Sequence, residues 1–295
     1  MKQVLFKGSA TALATPFTQE GIDVPALQAL VDWQIDQGVS ALVACGTTGE
    51  PSTMTDDEWA LTVRTVVGAA RGRVPVIAGT GGNDTRHVLQ QARRAKELGA
   101  DAQLCVTPYY NKTTQAGLVA HYTAIADQGD LPVVMYNVPS RTGLHMAADT
   151  VITLSRHPNI IALKEASCDF ISLGDAMLGA QEGFSFYSGS DEVIVPLMSL
   201  GGLGVISVIG NVVPGFVSEL CAAMLAGDAA KAAQMQLQCL PLTHALFSEV
   251  NPIPVKRALH LMGKCQDIVR LPLVPLSDEN TQRLQKEMRA MGVLS

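Results

Sequence analysis

Two periodicities alternate along the chain. Short apolar runs of strand length are each followed by a segment whose apolar residues recur at helical spacing. Residues 9–14 (SATALA) read as a first strand, closed by Thr15-Pro16. Residues 24–37 then place Leu27, Leu30, Val31 and Ile35 on one helical face and stop at Gly38. Residues 41–44 form a second strand, and Thr55 with Glu58 three residues later makes a capping box for the next helix. Residues 74–78 predict a third strand, with a helix running to Leu98 and ended by Gly99. Residues 102–106, 132–135, 160–163, 184–188 and 204–208 repeat the scheme.

Eight such units, most of them roughly 25–35 residues apart, are the arithmetic of a (β/α)8 TIM barrel. A doubly wound sheet is the competing architecture, but it calls for a phosphate-binding glycine loop after the first strand, and none follows Ala14. After Gly227 the strand pattern ceases. Residues 228–246, 254–262 and 277–291 read as helices, so the expected division is a barrel over 1–227 and a C-terminal helical appendage over 228–295. The segment Asn251-Pro252-Ile253-Pro254 is a rigid joint between two of those helices.

Composition narrows the class. The 295 residues are 47% hydrophobic and 16% charged, which suits a large aliphatic core and argues against disorder. A net charge of −6 with no basic cluster gives no footprint for nucleic acid or an anionic membrane. The six dispersed cysteines form no CxxC pair, as expected of reduced thiols in a cytoplasmic protein. The N-terminus lacks the apolar core of a signal peptide, and the apolar stretch 201–217 is interrupted by Gly, Ser, Asn and Pro, so no membrane span is expected. The histidines show no HExxH spacing, no metal site is expected, and no G-x-S-x-G elbow marks a serine hydrolase. The glycine clusters at 79–82 and 201–204 match neither GxGxxG nor a P-loop and are read as barrel turns.

The chemistry gathers at strand ends. The run Ile160-Ile161-Ala162-Leu163 is apolar on both faces, as in a buried parallel strand, and stops at Lys164. A desolvated lysine loses part of its preference for the charged form, and its neutral amine attacks carbonyls. Alone, a lysine at a strand end is more simply read as a solvated cation pairing with Glu165. It has company, however: Thr47 and Thr48 follow strand two, Tyr109 and Tyr110 strand four, Tyr136 and Arg141 strand five, and Gly189 strand seven. In a barrel all of these share the rim that carries active sites. Tyrosine and threonine hydroxyls can relay protons, and an arginine can clamp a carboxylate bidentately.

With these motifs in view, the chain resembles the dihydrodipicolinate synthase family, within the pyruvate-dependent class I aldolases and lyases. The resemblance covers nearly the whole chain. It is carried by Gly46-Thr47-Thr48-Gly49-Glu50, Thr107-Pro108-Tyr109-Tyr110-Asn111-Lys112, Tyr136-Asn137-Val138-Pro139-Ser140-Arg141-Thr142-Gly143, Leu163-Lys164-Glu165-Ala166, Gly189-Ser190-Asp191 and Asn251-Pro252-Ile253-Pro254-Val255-Lys256. It implies that Lys164 forms an imine with pyruvate and that the resulting enamine adds to L-aspartate 4-semialdehyde, in the synthesis of diaminopimelate and lysine. No cofactor beyond that covalent imine is implied. By resemblance, Thr48 holds the pyruvate carboxylate, Tyr136, Thr47 and Tyr110 pass protons, and Arg141 binds the semialdehyde carboxylate. Gly189 and Ile206 line the pocket. Tyr110 is expected to reach in from a neighbouring subunit, which implies a homotetramer built as a dimer of dimers.

Two alternatives remain at this point. N-acetylneuraminate lyase and the 2-keto-3-deoxy sugar-acid aldolases share the lysine, and a non-catalytic barrel that binds a keto acid is a different class altogether. Arg141 and the Thr47-Thr48 pair favour the synthase. Relatives inhibited by L-lysine carry an effector site, and the resemblance places Asn83 and Tyr109 there unchanged. Pro51, Asp56, Trp59 and His87 fall where several of the other contacts should be, so weak or absent inhibition is expected.

Overall fold

A computed structural model describes residue 2 and residues 4–294. Eight parallel strands close on themselves in sequence order. They are β1 (Gly8–Ala12), β2 (Ala41–Ala44), β3 (Val76–Gly79), β4 (Ala102–Val106), β5 (Val133–Asn137), β6 (Ile160–Glu165), β7 (Ser185–Ser188) and β8 (Gly204–Ser207). The helices, in chain order, are α1 (Val24–Asp36), α2 (Asp56–Ala70), α3 (Thr85–Glu97), α4 (Gln115–Gln128), α5 (Pro139–Thr142) and α6 (Ala148–Ser155). They continue with α7 (Phe170–Gly179), α8 (Ile194–Ser199), α9 (Pro214–Leu225), α10 (Ala229–Leu246), α11 (Ile253–Leu261) and α12 (Asp278–Ala290). The architecture is a (β/α)8 barrel with additional C-terminal helices, as the alternating periodicity predicted.

Local signals act where the sequence put them. Thr55 and Glu58 form the capping box of α2, and the backbone after α1 and α3 turns left-handed at Gly38 and Gly99. Gly204 closes the barrel: a Cβ there would lie 1.8 Å from the carbonyl oxygen of Gly8, so only glycine lets β8 pair with β1.

Two strands run further than the sequence suggested. β5 continues through Tyr136 to Asn137, and β6 continues through Lys164 to Glu165. The polar residues stay in the ladder because each pairs across it, with Tyr136 opposite Lys164 and Lys164 opposite Tyr187. Inside the barrel, Ala10, Val43, Ile77, Leu104, Val134, Ala162 and Ile206 pack with Tyr136 and Tyr187. Phe6, just before β1, stacks on Tyr187 with ring centroids 4.2 Å apart and accepts its hydroxyl hydrogen bond at 2.7 Å. The amino-terminal mouth is thereby filled, and the carboxyl-terminal mouth is left for chemistry.

The C-terminal helices pack on the barrel's own helices. Leu242, Leu246, Val255, Leu259, Leu284 and Met288 share one buried cluster with Leu27, Val31, Val205 and Leu220. Among the described residues, no helix is long and apolar enough to cross a membrane.

Candidate active site

Lys164 is 4% exposed, next to last in β6, between Tyr136 and Tyr187 on the neighbouring strands. Desolvation lowers its pKa from the ordinary value to about 8, with Asp191 pulling it up and Arg141 pushing it further down. Its Nζ lies 4.2 Å from the centroid of the Tyr136 ring. Burial raises the Tyr136 phenol to about 12. Arg141 and a hydrogen bond with Thr47 oppose that rise, while Glu165 adds to it. A neutral phenol, a threonine hydroxyl and an amine that is partly deprotonated at neutral pH therefore sit together.

The surrounding turns hold this group in place. Residues 47–49 form a single 3-10 turn after β2, with Thr48 buried and Thr47 half-buried. Thr48 Oγ1 accepts a hydrogen bond from Asn251 Nδ2 at 3.0 Å. Arg141 lies on the short helix α5, anchored where Thr107 donates to Thr142 Oγ1 at 3.1 Å and Thr142 donates to Val138 O at 3.2 Å. Arg141, Tyr136 and Thr47 face one cavity of about 710 Å3. Gly189 follows β7, and a Cβ on it would meet Ala166 Cβ at 2.8 Å, Glu165 O at 3.0 Å and Lys164 Cε at 3.1 Å. Ile206 is fully buried in the barrel interior.

The structure thus brings Lys164, Tyr136, Thr47, Arg141 and Gly189 to one rim, with Thr48 and Ile206 adjoining. Tyr110 stands apart. It is 91% exposed, in left-handed backbone at φ +66°, on a loop that Asn83 and Asn111 tie down through Tyr109 O and Asn83 O. Sequence reasoning missed the part played by Asp191. This carboxylate is fully buried and accepts from Val208 N at 2.8 Å and Ile209 N at 3.0 Å, while its Oδ1 has no partner. Asp191 stood in the Gly189-Ser190-Asp191 motif, but an acidic residue just past a strand end gives no sign of its burial, and surface turns show the same pattern. Among the described residues, no group of three or more His, Cys, Asp or Glu side chains could hold a metal ion.

A closed barrel that buries an amine of lowered pKa against paired hydroxyls, at the carboxyl ends of its strands, fits a Schiff-base-forming lyase. The model of the dihydrodipicolinate synthetase family matches residues 5–291. The chain belongs to that family. A 4-hydroxy-tetrahydrodipicolinate synthase of Thermoanaerobacter sp. (strain X514) is 48% identical over 291 residues, covering 98% of both chains. The dihydrodipicolinate synthase of Acinetobacter baumannii, solved in complex with pyruvate, superposes with a TM-score of 0.95 at 42% identity, over 98% of this chain and 99% of that one. The enzyme of Cyanidioschyzon merolae, solved with lysine bound, gives 0.96 at 37% identity, over 99% and 100%.

Proposed function

We propose that this enzyme condenses pyruvate with L-aspartate 4-semialdehyde to give 4-hydroxy-tetrahydrodipicolinate. The observation that carries the assignment of roles is Lys164, buried with a pKa of about 8 beside the Tyr136–Thr47 hydroxyl pair. The neutral amine attacks C2 of pyruvate, and water leaves as the iminium forms. Loss of a methyl proton gives the enamine, whose C3 attacks the aldehyde carbon of the second substrate. The substrate's own amine then attacks C2 and displaces Lys164, closing the ring. The iminium is itself the electron sink, so the sequence of steps calls on no further cofactor.

Thr48 holds the pyruvate carboxylate, and Arg141 binds the semialdehyde carboxylate from the cavity wall. Tyr136 and Thr47 carry protons to and from the reacting centre, joined by Tyr110 of a second subunit. Gly189 and Ile206 shape the wall beside Lys164. The exposure of Tyr110, and of the apolar Ile171, Leu178 and Leu200, supports assembly into a homotetramer. Six unpaired thiols suit a reducing compartment, and the reading puts the enzyme in the cytoplasm.

The decisive experiment treats the protein with pyruvate and borohydride and maps the adduct by mass spectrometry. Lys164 should carry the reduced adduct, and Lys164→Ala should carry none; reversible pyruvate binding without an adduct would leave only a keto-acid-binding barrel. A coupled assay should show turnover with the semialdehyde and none with sialic acid. Arg141→Ala should keep the adduct and lose condensation. Pro51, Asp56, Trp59, Asn83, His87 and Tyr109 line the same cavity, where Gln91 Nε2 already donates to Asp56 Oδ1 at 2.9 Å. Without a carboxylate at position 87, the ammonium of L-lysine lacks one expected partner, so inhibition by L-lysine should be weak or absent; half-maximal inhibition at micromolar L-lysine would overturn this.

A further inference from the structure

One sequence motif plays no part in the reaction as assigned: Asn251-Pro252-Ile253-Pro254-Val255-Lys256, about two hundred residues downstream of the threonine turn it meets. Asn251 is buried and touches both carboxylate anchors. Its Nδ2 donates to Thr48 Oγ1 at 3.0 Å, and its backbone oxygen accepts from Arg141 Nη2 at 3.4 Å. Its Oδ1 is buried without a partner. A side chain free to choose would turn that acceptor toward a donor. Here the amide turns its donor face to Thr48 and leaves its acceptor unused. The cost of an unpaired buried acceptor implies that the donated bond has a use.

The use follows from the chemistry of a hydroxyl. Thr48 Oγ has one proton to give and lone pairs to accept with. When Asn251 donates to the oxygen, the proton of Thr48 must point elsewhere. We propose that Asn251 is a positioning residue that fixes Thr48 as a hydrogen-bond donor toward the pyruvate carboxylate, while its main chain steadies Arg141. The proposal rests on the role of Thr48 given above.

The same turn is clamped from the side away from substrate. Glu50, in left-handed backbone at φ +58°, ends the turn and pairs with fully buried Lys256 at 3.0 Å. Lys256 also donates to Thr15 O at 2.6 Å, and Arg270 N donates to Glu50 Oε2 at 3.2 Å. The threonine turn therefore has little freedom to shift, and the orientation of its hydroxyl is left for Asn251 to set.

The test compares Asn251→Asp with Asn251→Ala by steady-state kinetics at varied pyruvate, with melting temperatures recorded for both. Aspartate keeps the shape but accepts where asparagine donates. It takes the Thr48 proton for itself and places an anion beside two carboxylate anchors. The KM for pyruvate should rise about tenfold or more in the aspartate variant, and by less in the alanine variant, where Thr48 can still turn its proton to substrate. A space-filling role predicts the reverse order, since aspartate fills the volume and alanine does not; a near-parental KM in the aspartate variant overturns the proposal. If alanine lowers the melting temperature too far for assay, Asn251→Ser takes its place in the comparison. Trapping of pyruvate on Lys164 in the parent protein is the control: its absence would refute the imine reading, whereas its presence with unchanged aspartate kinetics would refute only the role of Asn251.

Discussion

At the scale of single residues, the site is a contest over one proton on Lys164. Desolvation favours the neutral amine, Arg141 works in the same direction, and Asp191 works against them. Imine formation needs the neutral form, so the initial rate of pyruvate trapping should rise with pH, with a midpoint near 8. The sign of a perturbation follows. Asp191→Asn removes the anion that raises the Lys164 pKa, and asparagine can still accept from Val208 N and Ile209 N, so the midpoint should move to lower pH. An unmoved or raised midpoint in trapping measured across pH would show that Asp191 has no electrostatic hold on the lysine. Gly189 defines the site sterically. Its Cβ would press on Ala166 Cβ, Glu165 O and Lys164 Cε together, and the first two yield little because one is backbone and the other is a Cβ on backbone that Asn137 O holds. Gly189→Ala should therefore lower kcat by about a hundredfold, as expected when a reacting group is displaced by a fraction of an ångström to an ångström, and should also lower the melting temperature, since overpacking costs about 1–3 kcal/mol.

At the scale of elements, what could be read from the sequence depended on how far apart in the chain the cause lies. Strands and helices were legible to within a few residues because their cause is local: apolar runs, the Thr55–Glu58 capping box, and Gly38 and Gly99 at helix ends. The rim residues Lys164, Tyr136, Thr47 and Arg141 were legible as positions because barrel order alone delivers strand ends to one mouth. The roles given to them at that stage came from the family resemblance. The contacts that lock the turns were not legible. Glu50 meets Lys256 across 206 residues, Thr48 meets Asn251 across 203, and neither pairing leaves a periodic trace. These distant contacts are also where an element is easiest to break. Lys256→Met leaves Glu50 buried without its partner and should destabilise the fold by about 3–5 kcal/mol, read as a lower urea midpoint. Pairing that change with Glu50→Gln should restore part of the loss, because the uncompensated charge is then gone. A double variant no more stable than Lys256→Met alone would mean that packing around Phe17, and not the buried charge, dominates; Lys256 Nζ lies 4.0 Å from that ring centroid and Arg270 Cζ 4.2 Å on its own approach.

At the scale of the whole molecule, we read residues 1–227 as the barrel and 228–295 as an appendage that folds with it, because their apolar residues share one cluster and the appendage supplies Asn251 and Lys256 to the threonine turn. The proposed relay draws on Tyr110, which one chain by itself does not bring to the site. Tyr110 stands almost fully in solvent, on a loop whose backbone is held at φ +66° and φ +46° at Tyr110 and Lys112, a conformation that non-glycine residues adopt only at some cost. If that tyrosine serves the active site of a second copy, a Lys164 from one subunit must work with a Tyr110 from another. Lys164→Ala and Tyr110→Ala proteins should each be nearly inactive by themselves. In a hybrid dimer, one site inherits both lesions and the other inherits neither. Mixing the two variants under conditions of subunit exchange should therefore restore activity, to about a quarter of the parental value if half the dimers are hybrids and one of their two sites works. A mixture that stays inactive, with hybrids confirmed by native mass spectrometry, would put Tyr110 outside the relay and leave Tyr136 and Thr47 to move the protons within one chain.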